Sequence, residues 1–368
     1  MKVSVLINNH NYGSYIGEAI ESVLNQTYRD FEIIVVDGAS TDDSRDVIMS
    51  YVERYPRLIT AVFRPASGQA AAINAGFALS TGEVIALLDS DDYFLENKLE
   101  RIVEAHKSYT FVGHGRKTLS YKGDPVDFLS PMDDPSQRSK LLHQYGYLYT
   151  YNISTSCISA TRKLLEQILP MPEDGYVTHA DPYLKLMGQY YGEIAYLREP
   201  LTFYRIHRRQ KSKEVGGPIQ TEELMENLYR QVLTDANRHI CARGGGPIPP
   251  LTRESLQEAF ALANPGTSIR EGGRYILYGT GYMGQRMLRH LGTMGAHCCY
   301  AADSNPEKWG SVWNGIRILP LPELRSRRDE YDQILIASNY YQEMEENLAQ
   351  LGLVPGIDYV SLCSVPLD

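Results

Sequence analysis

Cysteine, tryptophan, long apolar runs and excess positive charge are all scarce in this sequence. Its 368 residues hold five cysteines, at 157, 241, 298, 299 and 363. The number is odd and no pair has disulfide-framework or zinc spacing. Cys298 and Cys299 are adjacent, which suits neither a bridge between them nor a CxxC site. Reduced thiols in a cytosolic protein are the expectation. No apolar run approaches the ~20 residues that span a bilayer. The start, Met1-Lys2 and then VSVLI, lacks the pattern of a secretory leader. The expected setting is cytoplasmic, with at most a peripheral contact on the inner face of the membrane. Asp and Glu total 45 against 36 Lys and Arg, a formal net charge of −9. Nucleic-acid binding usually needs a basic face, so no nucleic-acid partner is expected.

What is present is a globular composition, 43% hydrophobic and 22% charged, on a chain long enough for two domains. Over the first hundred residues two periods alternate. VSVLI (3–7), FEIIVV (31–36), LITAVF (58–63) and EVIALL (83–88) read as strands. Tyr15, Ile16, Ala19, Ile20, Val23 and Leu24 form a helical stripe, as do Val47, Ile48, Tyr51 and Val52. Ala70 to Leu79 is a third helix, of small residues. This β-α order with two-sided apolar strands predicts a parallel sheet covered on both faces.

In open α/β sheets, ligands lie beyond the carboxyl ends of the strands. The residues at those ends are Asn8, Asn9 and His10; Asp37, Gly38 and Ala39; Arg64; and Asp89 with Asp91. The run LLDSDDYF (87–94) drives an apolar strand into three carboxylates, Asp89, Asp91 and Asp92. Like charges so close are costly to desolvate unless a cation sits among them. Asp92 reads better as the N-cap of a helix carrying Leu95, Leu99, Ile102 and Val103, which leaves Asp89 and Asp91 unexplained.

Farther on, TRKLLEQIL (161–169) and residues 181–190 read as helices, EIAYL (193–197) as a strand, and Ile219 to Ala242 as a long amphipathic helix. GGGPIPP (244–250) reads as a linker. The rest of 106–175 is hard to place, apart from a Tyr-rich piece, YGYLYTYN (145–152), and a loop rich in Pro and Asp at 124–135. From 273 a second α/β unit begins with RYILY, GTGYMG and HCCYAAD, followed by QILIAS (333–338) and YVSLC (359–363). The expected boundaries are 1–215, a helical linker region 216–270, and 271–368.

Two stretches carry a family resemblance, VSVLINNHNYGSYIGEAIESVLNQTYRDFEIIVVDGASTD and GQAAAINAGFALSTGEVIALLDSDDYFLENKLE. They resemble family 2 glycosyltransferases, inverting enzymes of the GT-A (nucleotide-diphospho-sugar transferase) fold. The resemblance is strong over residues 3–104 and moderate over 175–212. It implies a nucleotide-sugar donor, UDP-linked by default, and a Mn²⁺ or Mg²⁺ ion. Asp89-Ser90-Asp91 would be the DxD-type motif, with Asp91 on the metal and Asp89 toward the ribose or a metal-bound water. Asn8, His10 and Asp37 would line the base, and Gln69 would lie on the donor side. In YVTHADPYLKLMGQYYGEIAYLREPLTFYRIH, Asp181 would be the general base and His207 would help hold the metal or diphosphate. Asp181-Pro182 is also a good helix start.

The chain departs from the family at Gly38, where a second acid is usual, at Ile73, where many relatives have Arg, and before the helix at 181, where relatives place Glu-Asp and this chain has His179-Ala180-Asp181. Arg205, Arg208, Arg209, Lys211 and Lys213 could clamp phosphate, attract an anionic membrane surface, or form a solvated loop.

GTGYMG (279–284) fits G-x-G-x-x-G between a strand and a helix, with Asp303 nineteen residues after Gly284. It resembles Rossmann-like modules appended to sugar-modifying enzymes. Either the turn binds a dinucleotide or it is kept for packing. The lack of a Tyr-x-x-x-Lys there favours a structural, oligomerising or regulatory module, so NAD is not expected. The resulting expectation is transfer of a sugar to a hydroxyl on a glycan or lipid-linked acceptor, in surface polysaccharide synthesis. Rival readings are an NAD-dependent sugar-nucleotide oxidoreductase or epimerase, a nucleotidyltransferase, and a non-catalytic sugar-binding scaffold. NNHNYGSY lacks the Gly-rich, basic loop the nucleotidyltransferase needs.

Overall fold

The structure, a computed structural model, describes residues 1–65, 68–119, 124–129, 141–144, 153–176, 178–207, 218–250, 252–264, 267–338 and 340–362. YGYLYTYN, Arg208, Arg209, Lys211, Lys213 and Cys363 lie outside the described residues. The chain divides into two compact units. The first comprises Met1–Pro135, Ile153–Gly216 and Asn227–Pro247; the second comprises Ser136–Asn152, Gly217–Glu226 and Ile248–Asp368. Asn227–Pro247 therefore groups with the first unit, although its sequence reads as part of a linker. No helix among the described residues is long and apolar enough to cross a membrane.

In the first unit, β1 (Val3–Asn9), β2 (Phe31–Gly38), β3 (Ile59–Arg64) and β4 (Val84–Asp89) run parallel, as their apolar runs predict. Past β4 the sheet becomes mixed. β8 (Ile158–Thr161) runs antiparallel to β4, β6 (Phe111–Leu119) antiparallel to β8, and β9 (Ile194–Phe203) parallel to β6. Short β5 (Tyr93–Phe94) closes the order β3-β2-β1-β4-β8-β6-β9-β5, while β7 (Pro125–Phe128) pairs with β6. A wholly parallel arrangement thus holds for β1 to β4 only.

Helices cover both faces. Ile16, Ala19, Ile20 and Val23 of α1 (Gly13–Leu24), Ile48 of α2 (Ser44–Arg54) and Leu99 and Ile102 of α4 (Lys98–Ala105) pack on Val5, Ile7, Val35 and Ala86. Each of these isoleucine, leucine and valine side chains contributes about 1.5–3 kcal/mol on burial. The other face receives α3 (Gly68–Leu79), whose Ala70, Ala71 and Gly76 let its backbone approach closely. A Cβ added at Gly76 would stand 3.2 Å from Leu6 and 3.4 Å from Val36.

The amino ends of β1 and β2 carry a compact charge cluster. Glu32 accepts from Lys2 Nζ at 2.6 Å, Ser4 Oγ at 2.6 Å and the Thr81 backbone N–H at 2.6 Å. Burial raises the Glu32 carboxyl, but these hydrogen bonds outweigh it and hold the pKa at about 2.

The second unit holds a six-stranded sheet ordered β12-β13-β11-β10-β14-β15. Here β10 is Arg274–Tyr278, β11 His297–Ala302, β12 Val312–Trp313, β13 Ile316–Leu319, β14 Gln333–Ile336 and β15 Tyr359–Ser361. All pairs are parallel except β12 with β13. The adjacent cysteines have a local cause: Tyr275 pairs with Cys298 and Ile276 with Tyr300, so Cys299 is the extra residue of a β-bulge. Cys157, Cys241, Cys298 and Cys299 are free thiols.

Candidate active site

The register of the parallel strands aligns their last polar residues. Asn8 is paired with Asp89, Asn9 with Asp37, and Gly38 with Arg64, which builds one rim from residues far apart in sequence. Beyond β4 the backbone turns tightly. Ser90 N–H donates to Asn8 O at 3.1 Å, and Asp92 N–H donates to Asp89 O at 3.0 Å.

Asp92 does not cap a helix. The chain stays extended through β5, which pairs with β9, and α4 begins only at Lys98 after Asn97. The Asp92 carboxylate instead accepts from Ser156 Oγ at 2.6 Å and from the Arg205 backbone N–H at 2.9 Å. It therefore holds the turn to β8 and to the chain leaving β9. Arg205 is likewise committed, donating from Nε to Asp91 O at 2.9 Å, pairing with Glu18 and lying over the Tyr15 ring.

The acids are electrostatically strained as bare charges. Burial, then the Asp91 charge, push Asp89 up to about 7, and the same two causes raise Asp92 well above the carboxylate range. One fixed cation lies behind them. Lys98 is fully buried, donates to Ser156 O at 2.6 Å and Thr202 Oγ1 at 3.2 Å, and sits over the Phe94 ring. Burial lowers its own pKa to about 7.

Asp91 meets His207, 116 residues away in sequence, with Nε2 3.0 Å from Oδ2. The imidazole is packed against Tyr12 and Tyr15, and its Nδ1 is buried with no hydrogen-bond partner. The pair is at hydrogen-bonding distance, and its carboxylate oxygen and imidazole nitrogen are both donors that a divalent cation could take in place of the proton between them. No group of three or more His, Cys, Asp or Glu gathers around a metal position among the described residues. A cation here would therefore complete its shell with water and substrate oxygens.

On the base side, the tautomer of His10 is set by its neighbours. Asn11 Oδ1 accepts from Thr41 N–H at 2.7 Å, so Asn11 Nδ2 faces His10 Nε2 at 3.1 Å. The proton is then on Nδ1, which donates to Gly38 O at 2.6 Å. Asp37 is 2% exposed and accepts from Asn9 Nδ2 at 2.7 Å, Ser40 N–H at 3.0 Å and Ser40 Oγ at 2.6 Å. It shapes the turn and has room for one further donor. The Asn8 carboxamide stands beside Asp89 and helps to stabilise its charged form, while Ser90 Oγ is buried without a hydrogen-bond partner.

Asp181 opens the helix Asp181–Tyr191, but its side chain does not cap it; the N-cap is Ala180, with no side-chain cap bond. The carboxylate pairs with Lys185 Nζ at 2.6 Å, and both side chains are largely buried. Gln69 joins this helix to β4. Its Oε1 accepts from Ala180 N–H at 2.9 Å, while Nε2 donates to Asp89 Oδ1 at 2.8 Å and Thr155 Oγ1 at 3.1 Å. Asp91 is thus beside His207, and Asp89 is linked to the Asp181 helix. Lys98, Ser156 and Lys185 were missed by sequence reasoning. Only Lys185 left a signal there, as a lone cation four residues from Asp181 on an apolar helix.

Residues 4–169 match the family described as Glycosyl transferase family 2. An uncharacterized glycosyltransferase of Nostoc sp. is 38% identical over 227 residues, which cover 61% of this chain and 70% of that protein. The chain belongs to glycosyltransferase family 2. It is a glycosyltransferase, and its first unit has the GT-A fold. Residues 272–355 match a family described as C2185-like, N-terminal.

Another relative of this family 2 chain is the putative teichuronic acid biosynthesis glycosyltransferase TuaG of Bacillus subtilis. It is 34% identical over 127 residues, covering 34% of this chain and 50% of TuaG. Among solved structures, Staphylococcus aureus TarS 1–349 in complex with UDP-GlcNAc gives a TM-score of 0.47 at 19% identity, covering 71% of this chain and 81% of TarS 1–349. The mannosyltransferase PcManGT from Pyrobaculum calidifontis, in complex with GDP-Man and Mn²⁺, gives 0.46 at 20% identity, covering 71% and 69%.

Proposed function

We propose that this family 2 enzyme transfers a sugar, with inversion, from a nucleotide-diphosphate donor to a hydroxyl of a glycan or lipid-linked acceptor. UDP is the default nucleotide, and Mn²⁺ or Mg²⁺ the ion. The observation that carries the reading is the 3.0 Å contact between Asp91 and His207 at the end of β4. Asp91 and His207 would hold the ion, whose positive charge neutralises the departing diphosphate. Asp89 would meet the ribose. Asn8, beside Asp89 at the end of β1, together with His10 and Asp37, would frame the base.

Asp181 would take the proton from the acceptor hydroxyl. That oxygen forms the new bond to the anomeric carbon on the face opposite the diphosphate. The old carbon–oxygen bond breaks, and its electron pair leaves with the nucleoside diphosphate. No covalent enzyme intermediate is required, and a single carboxylate suffices. Lys185 holds one oxygen of Asp181, which fixes the side chain against the helix that bears it.

The second unit serves, in this reading, as a Rossmann-like packing or assembly module rather than a redox domain. Its turn is built on close contacts. A Cβ on Gly284 would stand 1.9 Å from Gly279 O, and one on Gly279 would stand 2.9 Å from Ala337 O. The acid that would meet a ribose, Asp303, is already engaged by Thr280, by Lys308 Nζ at 2.7 Å and by Asn305 N–H at 3.0 Å. This counts against an NAD-dependent oxidoreductase.

A thermal-stability screen of nucleotide sugars, each with and without Mn²⁺, tests the proposal, because ligand binding raises apparent stability by mass action. A rise that needs both nucleotide sugar and ion is expected. A rise with NAD and none with any nucleotide sugar would reverse the assignment.

A further inference from the structure

Gln69 is a long polar side chain on a helix whose buried face is made of Ala70, Ala71, Ile73 and Gly76. It stands at the start of α3, directly after Gly68, whose φ of +82° turns the chain into the helix. Its amide orientation is not ambiguous. The Ala180 N–H can only donate, so the atom 2.9 Å away is the oxygen, and the nitrogen must face Asp89. The two amide hydrogens are spent on Asp89 Oδ1 and Thr155 Oγ1, and the oxygen on Ala180.

The helix that begins after Ala180 has no side-chain cap of its own. An uncapped first turn leaves backbone N–H groups dependent on outside partners. Gln69 supplies one from another element, and the same amide grips the carboxylate at the tip of β4. A ligand that fixes the Asp89 carboxylate, leaving Oδ1 on Gln69, would therefore also fix the group that anchors the start of the Asp181 helix. The two residues flanking this bridge belong to opposite halves of the proposed reaction, donor and base.

We infer that Gln69 is a positioning residue that couples occupancy of the donor half to the setting of Asp181. The inference rests on the functional reading above, and deepens it. Nucleotide binding at Asp89 tightens the Asp89–Gln69–Ala180 bridge and fixes the first turn of the base-bearing helix. An enzyme so built holds its base in place chiefly when a donor is present.

The probe is UDP with Mn²⁺, and the readout is backbone hydrogen exchange over residues 178–184 in the full chain. In the wild-type protein UDP–Mn²⁺ should slow this exchange by at least about fivefold, the lower end of ordinary coupling between sites. Gln69→Met removes both links without adding a charge beside Asp89, and Gln69→Asn keeps the amide but is one methylene too short to span both partners. Compared at UDP–Mn²⁺ concentrations that saturate each protein, both variants should lose the slowing. Slowing that survives in saturated Gln69→Met overturns the coupling. So does a wild-type protein that binds UDP–Mn²⁺ with unchanged exchange at 178–184. A wild-type protein that shows no UDP–Mn²⁺ stability shift counts against the donor reading itself and removes the coupling with it.

Discussion

Lys185 and Asp181 form an ion pair of 2.6 Å, one helical turn apart, on a helix whose residues from Pro182 to Gln189 are all buried. Lysine is rarely buried without a partner. Here the partner is the proposed base, and Lys185 also donates to Ile153 O at 3.3 Å. Burial works to lower the ammonium pKa, yet the neighbouring Asp181 charge raises it above its ordinary value. Removing one member of such a pair strands the other. Lys185→Met should therefore cost about 3 kcal/mol in chemical denaturation. The double variant with Asp181→Asn should recover part of that loss. Strictly additive losses would show that the pair is not coupled.

Asp181→Asn keeps the shape of the side chain and removes its basicity. Turnover should fall by about 10²–10⁴-fold, the usual worth of a general base. The stability shift with UDP–Mn²⁺ should remain, since the donor contacts lie at the strand ends. Steady-state rates alongside the thermal screen separate the two effects. Undiminished turnover would move the base elsewhere.

The Glu32 cluster makes stability depend on pH at the acid end. Its folded pKa, about 2, lies below the ordinary 4.5, so the folded form binds its proton less readily than the unfolded chain. The stabilisation is complete above about pH 4.5 and is lost as pH falls through about 2. Denaturation at a series of pH values should show wild-type stability falling across this window. Glu32→Gln should flatten that slope, by on the order of 1–2 kcal/mol after solvent screening.

The glycine turn of the second unit yields a contrast between neighbours. Gly284→Ala places a methyl group 1.9 Å from Gly279 O, a clash with backbone. A loss of about 2–3 kcal/mol is expected. Gly281→Ala meets nothing within 4 Å at a φ of −83° and should be nearly neutral. Melting curves of the two variants distinguish a turn kept for packing from one kept open for other reasons.

The parts of the fold legible in the sequence were those whose period follows from burial on both faces. VSVLI, FEIIVV and EVIALL became β1, β2 and β4 because a covered parallel strand is apolar throughout. Within residues 106–175 the helix at 161–169 was legible, and the strands before it were opaque for the converse reason. β6 buries His114 and Thr118, and β8 buries Ser159, so neither shows apolar alternation. Asp92 was misread as a cap because a two-residue strand, too short for any periodicity, intervenes before α4. Asp91 and His207 were found through the family resemblance. Their 3.0 Å approach depends on β9 returning past β5, a long-range pairing that residue spacing does not encode.

Calorimetric titration of Mn²⁺ into the protein with UDP present, repeated with Asp91→Asn, addresses the central claim most directly. The wild-type protein should bind the ion tightly only with the nucleotide, and the variant should lose about a hundredfold or more in affinity. Equal manganese binding by the two proteins would contradict the assignment of Asp91 as the ligand around which the site is built.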